Sequence, residues 1–364
     1  MEKQQLRHWL ALSQVNLSGD RLLSYFEQGN TVADLFGASD SKLVNFGFRA
    51  GLAERLSKID HDKVERDLNW FDDDNKTLIP INSTHYPALL KQTSSAPKLL
   101  FAHGNKDLLN SHQIAIVGSR NPTPQGKENA KNFAKALATA GAVITSGLAL
   151  GVDGIAHQEA VSANLPTIAV AGTGLDRIYP AAHKPLAESI LIEGLLISDF
   201  ALGTGVRSSN FPARNRIISG MSLGTLVIEA ALKSGSLITA RYAMEQSREV
   251  FAIPGSIHNP LAKGCHYLIK QGAKLVETAE EIIEELQALA KWQIEQNQQQ
   301  ETTSQFALDE DYQQLLAQID YDVTHINTII SRTGLEIEVV SHMLLLLELN
   351  NYIKSMAGGY QRIA

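Results

Sequence analysis

Cysteine and long apolar runs are both scarce in this sequence of 364 residues. Its one cysteine, Cys265, cannot form an intramolecular disulfide or supply a cysteine-rich zinc site. No apolar run approaches the roughly 20 residues that a membrane-spanning helix needs. The first residues, MEKQQLRHWL, lack the apolar core of a signal peptide. We therefore expect a cytoplasmic protein that makes no contact with a membrane.

An excess of positive charge is also missing. The formal net charge of −7 argues against a loose, global attraction to nucleic acid. The charge is unevenly distributed, however, because residues 201–275 contain nine lysines and arginines against three glutamates, and carboxylates dominate from there to residue 320. A basic segment followed by an acidic one predicts a local anion-binding face and a solvated linker.

Signatures of cofactors and metals are absent as well. The dinucleotide fingerprint G-x-G-x-x-G does not occur, so the sequence gives no reason to infer NAD. His258 and His266 stand eight residues apart with no carboxylate nearby, which is a poor metal site. We expect neither a cofactor nor a bound metal.

The two ends of the chain predict small helical domains. Residues 1–75 carry short apolar stretches at helical spacing, which predict a SAM-like domain. It lacks the Gly-x-Gly hairpin with which a helix-hairpin-helix module would hold phosphate, so a docking role is favoured. Glutamine-rich residues 288–310 predict a linker. Residues 311–364 predict a winged helix, whose second helix carries only Arg332 and therefore favours protein contact over DNA readout.

The middle of the chain, residues 76–287, alternates between strand and helix patterns. Residues 114–117 form a continuous apolar run, typical of a strand buried on both faces, and Gly118, Ser119 and Arg120 follow at once before a helix from about Gly126. The repeated alternation predicts an α/β fold with a Rossmann-like, doubly wound, mainly parallel sheet. Loops at the carboxyl ends of its strands, over 118–120, 146–147, 172–174 and 200–215, should converge on one crevice.

The stretch from Phe200 to Thr239 is the strongest candidate for a binding site. Small residues there allow a backbone to approach a ligand. Arg214 and Arg216 can bind phosphate bidentately, and Phe211 can stack on a base. Any one of these arginines could simply be solvated, but the group as a whole predicts an anion site.

Six motifs, in order, resemble the DNA-processing protein A family (DprA, also called Smf). They are IAIVGSR, TSGLALGVDGIAH, AVAGTGLDRIYP, FPARNRIISGMS, SGSLITA and PGSIHNPLAKGCHYLI. The resemblance covers essentially the whole chain. It implies a Rossmann-like core that binds single-stranded DNA, loading of the recombinase RecA during natural transformation, a homodimer formed through the Rossmann-like domain, and no enzymatic activity.

The resemblance also implies which residues bind DNA. Arg207 is the nearest candidate for a basic residue expected before the FPxRNR motif, and Lys233 and Lys263 could extend the positive track. The predicted DNA-binding residues are Gly118, Ser119, Arg120, Arg207, Phe211, Arg214, Asn215, Arg216, Lys233 and Lys263. The sequence departs from the family where the N-terminal module lacks hairpin glycines and where Asn350 and Asn351 replace a usual glycine.

Two enzymatic alternatives remain. Arg214, Arg216 and the GTxxE run ending at Glu229 resemble nucleoside-monophosphate phosphoribohydrolases, but the glycine pair of their phosphate loop is missing. A structural Glu229 that pairs with an arginine is favoured. A hydrolase built on Ser146, Asp153 and His157 is weaker still. A third possibility is an interaction scaffold that depends on the linker and the winged helix.

Overall fold

A computed structural model describes residues 2–287, 310–335, 337–349, 352–356 and 358–363. Contacts divide the chain into two compact units, Met1–Leu286 and Gln287–Ala364. Most of the predicted linker, residues 288–309, and the departure at Asn350 and Asn351 lie outside the described residues. The predicted boundary near residue 75 stays a prediction, because the first unit contains both the N-terminal helices and the large sheet.

Six helices begin the first unit, and their apolar faces do not form a core of their own. Trp9, Leu10 and Leu22 are buried in the same cluster as Phe101 of the sheet. The helices are α1 Lys3–Ser13, α2 Gly19–Glu27, α3 Val32–Phe36, α4 Asp40–Asn45, α5 Leu52–Ser57 and α6 His61–Leu68. The N-terminal helices are therefore held against the sheet by shared apolar burial.

A nine-stranded sheet forms the centre of this unit. Its strands are β1 Lys76–Pro80, β2 Leu99–Gly104, β3 Gln113–Val117, β4 Val143–Ser146, β5 Thr167–Val170, β6 Leu195–Ser198, β7 Gly224–Val227, β8 Glu249–Ala252 and β9 Lys274–Leu275. Their spatial order is β1-β2-β6-β5-β4-β3-β7-β8-β9. In this spatial order, all neighbouring strands from β6 onwards pair in parallel. The two antiparallel pairs, β1 with β2 and β2 with β6, lie at one edge. The predicted mainly parallel α/β sheet is confirmed.

Helices cover both faces of the sheet because its strands are apolar on both sides. All five residues of β3 are buried. Ile114 and Ile116 belong to one apolar cluster, while Ala115 and Val117 belong to the other, as expected when alternate side chains point to opposite faces. The helices are α7 Ala88–Lys91, α8 Pro124–Thr139, α9 Val152–Ser162, α10 Lys184–Glu193, α11 Asn210–Met221, α12 Ser236–Glu245 and α13 Lys263–Lys270.

The strand order reverses beside β3. The chain proceeds from β3 to β4 on one side and reaches β7 on the other. Loops that leave β3 and β7 in opposite directions open a crevice at their carboxyl ends, which is where ligands bind in sheets of this type.

Glu229, just after β7, ties this edge of the sheet to the start of α8. Its carboxylate accepts hydrogen bonds from the backbone N–H of Thr123 at 2.9 Å and from the Thr123 hydroxyl at 2.6 Å. The Thr123 hydroxyl in turn accepts from the Gly126 N–H and caps α8. Glu229 is structural, as predicted, but the expectation that it pairs with an arginine is wrong, because Thr123 occupies both of its oxygens.

The described residues of the second unit form three helices and a hairpin, which confirms the predicted winged-helix fold. Leu315, Ile329, Leu344 and Ile353 form its apolar core. Its elements are α14 Glu310–Ala317, α15 Ile326–Thr333, α16 Ile337–Leu349, β10 Ile353–Met356 and β11 Gly359–Arg362. None of the helices described in either unit is long and apolar enough to cross a membrane.

Replacing Glu229 by alanine is expected to destabilise the fold. The change leaves the half-buried Thr123 donors without their acceptor, which should lower the free energy of unfolding by about 2 kcal/mol. Urea denaturation of Glu229→Ala measures the loss, with Glu245→Ala, an exposed glutamate of α12, as the control. An unfolding free energy equal to that of the wild type would contradict the structural role of Glu229.

Candidate nucleic-acid interface

The crevice at the strand-order reversal is a cavity of about 640 Å³. The loop after β3 forms one side, the loop after β7 forms the other, and α11 forms a wall between them. Seven of the ten predicted site residues line it, namely Gly118, Ser119, Arg120, Phe211, Arg214, Asn215 and Lys233. The sequence motifs after β3 and in α11 therefore meet in one place.

The loop after β3 presents backbone amides to the crevice. A side chain at Gly118 would come within 2.7 Å of the Val152 side chain, so only glycine fits there. The carbonyl of Ser119 accepts from the Val152 N–H at 3.1 Å, which fixes the loop against α9. The N–H groups of Gly118 and Ser119 donate to no carbonyl in the part of the chain that the structure describes. They can serve as an anion-binding pair.

A cation and an aromatic ring lie together at the mouth of the crevice. The guanidinium carbon of exposed Arg120 stands 5.7 Å from the centre of the Phe211 ring. The aromatic ring of Tyr179 also lies beside Phe211, with the two ring centroids 5.7 Å apart. Phe211 packs over Gly172, where a side chain would come within about 3.0 Å of the ring. This arrangement offers a flat apolar surface beside a positive charge.

Arg214 lies beneath this surface and is buried. Its Nη1 donates to the carbonyl of Val170 at 3.0 Å, at the end of β5. Burial lowers the pKa of Arg214 to about 10, and the negative charge of nearby Asp153 opposes that change. Arg214 therefore remains positive at neutral pH but offers a ligand little of its guanidinium.

Asn215 and Lys233 complete the opposite side of the crevice. The Asn215 amide donates to the carbonyl of Gly235 at 3.3 Å and joins α11 to the loop after β7. This loop leads into α12, whose first residue, Ser236, lines the crevice beside exposed Lys233. The positive end of the α12 dipole therefore faces the ligand space. The N-terminus of α8, which follows the Gly118–Arg120 loop in sequence, is already capped by Thr123.

Three predicted residues are not brought into the crevice. Arg216 donates to Asp199 Oδ2 at 2.6 Å and to the carbonyl of Ser95. It faces away from the crevice because residues two apart on a helix, here Arg214 and Arg216, point in different directions. Arg207 lines a separate cavity that includes Lys63 and Arg66 of α6. Lys263 is exposed at the start of α13 and does not line the crevice.

Sequence reasoning missed Tyr179 and Asn210. Tyr179 is 44% exposed and extends the aromatic surface of Phe211. Asn210, the first residue of α11, donates to the carbonyl of Gly172 at 3.0 Å and fixes the start of the helix. The tyrosine stood inside a quoted motif and could have been found as an exposed aromatic, whereas the contact of Asn210 depends on the tertiary fold.

The proposed Ser146, Asp153 and His157 triad does not assemble. Ser146 donates to the carbonyl of Ile116, and Asp153 accepts from the N–H of Gly147, which orients that loop. His157 is fully buried and bonds to the Thr167 hydroxyl at 2.8 Å. The described residues contain no group of three side chains suited to hold a metal ion.

Comparison with known proteins identifies the family. The family model for DNA recombination-mediator protein A matches residues 77–287, and that for the DprA winged helix domain matches residues 299–359. Protein Smf of Escherichia coli (strain K12) is 44% identical over 317 residues, which cover 85% of this chain and 84% of that protein.

Solved structures agree with this assignment. DNA processing protein A from Streptococcus pneumoniae matches with a TM-score of 0.68 and 37% identity, over 78% of this chain and 99% of that one. DNA processing protein A from Helicobacter pylori, described for its single-stranded DNA binding mode, matches with a TM-score of 0.53 and 31% identity, over 59% of this chain and 96% of that one. The chain belongs to the DNA recombination-mediator protein A family.

Proposed function

We propose that this protein binds single-stranded DNA in the crevice between the loops after β3 and β7. The observation that carries the proposal is the Arg120 guanidinium over the Phe211 ring, next to the amides of Gly118 and Ser119, which donate to no carbonyl of the described chain. Amides and guanidinium suit a backbone phosphate. The ring suits a base. A stacked base and its phosphate therefore have partners within one cavity.

Single strands fit this crevice better than duplexes do. A base can stack on Phe211 only when it is unstacked from its neighbours, and a single strand meets that condition without the cost of opening base pairs. The related protein from Helicobacter pylori is described for its single-stranded DNA binding mode. Six of the predicted residues are proposed to contact the strand directly, namely Gly118, Ser119, Arg120, Phe211, Asn215 and Lys233.

The wider role follows the family. The family resemblance implies DNA processing during natural transformation, in which the bound strand is transferred to the recombinase RecA. It also implies that two copies of the protein pair through the sheet-containing unit. A cytoplasmic location belongs to the same proposal. Contacts to phosphates and to the faces of bases do not depend on base sequence. They therefore suit a protein that must bind any strand and transfer it to a partner.

Binding rather than catalysis is supported by the state of the candidate catalytic groups. Both carboxylate oxygens of Glu229, the acid of the phosphoribohydrolase motif, already accept hydrogen bonds from Thr123. Burial lowers the pKa of His157 to about 3, so its imidazole is neutral and has no route to a substrate proton.

Removal of the guanidinium in Arg120→Ala should weaken single-strand binding and its dependence on salt. One lost phosphate contact should flatten the slope of log K against log salt by about 0.7. Fluorescence anisotropy of a labelled oligonucleotide at several salt concentrations gives both quantities. Arg241→Ala, an exposed arginine of α12, is the matched control. Affinity and slope equal to those of the wild type in Arg120→Ala would place the phosphate contacts elsewhere.

Removal of the ring in Phe211→Ala should weaken binding without changing the salt slope. Loss of one stacked base should cost on the order of 1–3 kcal/mol of binding free energy, since stacking involves no counterion. The same anisotropy titration measures it, with Tyr267→Ala, an exposed tyrosine of α13, as the control for loss of an aromatic. An unchanged affinity in Phe211→Ala would refute base stacking at this position.

The neutral state of His157 predicts a pH dependence of stability. Its pKa is lowered from 6.5 to about 3 by burial, so between these values the unfolded chain binds a proton that the folded chain does not. The contribution of His157 to stability is complete above pH 6.5 and should shrink by about 2 kcal/mol between pH 6.5 and pH 5.

Urea denaturation at pH 7 and pH 5 tests this for the wild type and His157→Gln. The difference in unfolding free energy between the two proteins should narrow on acidification. A His157 ring that titrates near pH 6.5 by NMR would contradict the assignment and return this residue to consideration as a general base.

A further inference from the structure

A second cavity lies where the N-terminal helices meet the sheet, and we call it the seam pocket. Its volume is about 650 Å³, which suits a small organic ligand. It is separate from the crevice, because α11 lies between them and presents Arg214 to the crevice and Arg216 to the seam pocket. No residue lines both cavities.

The seam pocket is strongly positive. Five cationic side chains line it against one carboxylate, Asp199; the five are Arg21, Arg49, Arg55, Lys98 and Arg216. Arg49 and Arg55 are exposed and form no ion pair within the described ranges. They come from the N-terminal helical region, whereas Lys98 and Arg216 belong to the α/β part. Two parts of the fold thus direct positive charge at one space in a protein whose net charge is −7.

Donors other than cations also face the seam pocket. The N-terminus of α2, a helix of nine residues, opens onto it, and its N-cap residue Ser18 makes no capping bond through its hydroxyl. A side chain at Gly19 would collide with the carbonyl of Ala96, so glycine lets the start of α2 approach the loop before β2. Ser94 and Ser95 of that loop add further hydroxyls to the lining.

Two polar groups at the floor of the seam pocket, a half-buried lysine and an aspartate, are only partly satisfied. Lys98 Nζ donates to the carbonyl of Val15 at 2.7 Å and is otherwise desolvated, which lowers its pKa to about 8. Asp199 accepts from Arg216 through Oδ2, but its buried Oδ1 has no partner among the described residues. Unused hydrogen-bonding groups are unfavourable in a desolvated site, and a ligand in the pocket can complete the Lys98 ammonium.

We propose that the seam pocket binds a phosphate ester of the size of a nucleotide. The guanidinium groups of Arg49 and Arg55 and the N-terminus of α2 would hold the phosphate. Asp199, the one carboxylate in the lining, would accept a hydrogen bond from a sugar hydroxyl or a base N–H of the same ligand. The site goes beyond DNA binding in the crevice and does not depend on it. The phosphate ester belongs either to a free nucleotide or to the phosphorylated end of a strand.

Isothermal titration of the full chain with dAMP tests the free-nucleotide source. The proteins are the wild type, the double variant Arg49→Ala/Arg55→Ala, Arg120→Ala for the crevice, and Arg241→Ala as a control for loss of an exposed arginine. We expect one saturable site that survives Arg120→Ala and Arg241→Ala. The loss of two charge-assisted contacts should weaken it by about tenfold or more in the double variant. Because Arg49 and Arg55 are exposed, the double variant should keep its fold, which the unfolding transition verifies.

A pair of oligonucleotides, with and without a 5′-phosphate, tests the other source. If a strand end is the ligand, the 5′-phosphate should strengthen binding in the wild type and in Arg120→Ala, but not in the double variant. The proposal is overturned if the double variant binds both dAMP and the 5′-phosphorylated oligonucleotide as tightly as the wild type does, or if the wild type binds neither through its phosphate. It is also overturned if Arg120→Ala alone abolishes the binding, because the crevice would then be the site. Loss of single-strand affinity in Arg120→Ala with dAMP binding intact separates the two sites.

Discussion

Three side chains of α11 hold this helix across the carboxyl ends of the strands, and the rest of the site depends on them. Asn210 donates to the carbonyl of Gly172 after β5, Arg214 donates to the carbonyl of Val170 at the end of β5, and Arg216 pairs with Asp199 after β6. These bonds fix the position of Phe211, and with it the ring over which Arg120 stands. The charged side chains of α11, Arg214 and Arg216, thus hold the helix in place. The exposed Arg120 and Lys233 are the cations available to a ligand.

The sequence predicts most of the fold for a clear physical reason. Continuous apolar strands separated by helical patterns must form a covered parallel sheet, and the loops at its carboxyl ends must meet. Gly118, Ser119, Arg120 and Phe211 could therefore be assigned to one place before any coordinates. The antiparallel pairing of β1 and β2 at the edge was not predicted, since both are short apolar strands whose neighbours depend on the whole sheet.

The individual roles of the arginines could not be predicted in the same way. Residues 200–215 were expected to form a loop, and Arg214 and Arg216 were both expected to bind DNA. The structure begins α11 at Asn210, so these two residues face different directions, one into the sheet and one towards Asp199. Glu229 was likewise recognised as structural, but its partner Thr123 lies 106 positions away and is brought close only by the tertiary fold.

The central claim is that the crevice accepts a base which is free of its pair and its neighbours. Competition in fluorescence anisotropy tests it most directly, with a labelled single-stranded oligonucleotide bound to the wild-type protein and an unlabelled duplex of the same sequence as competitor. The account predicts that the unlabelled single strand displaces the probe and that the duplex barely does. Displacement by the duplex at the same concentration would contradict it, because a base held inside a duplex cannot reach the face of Phe211.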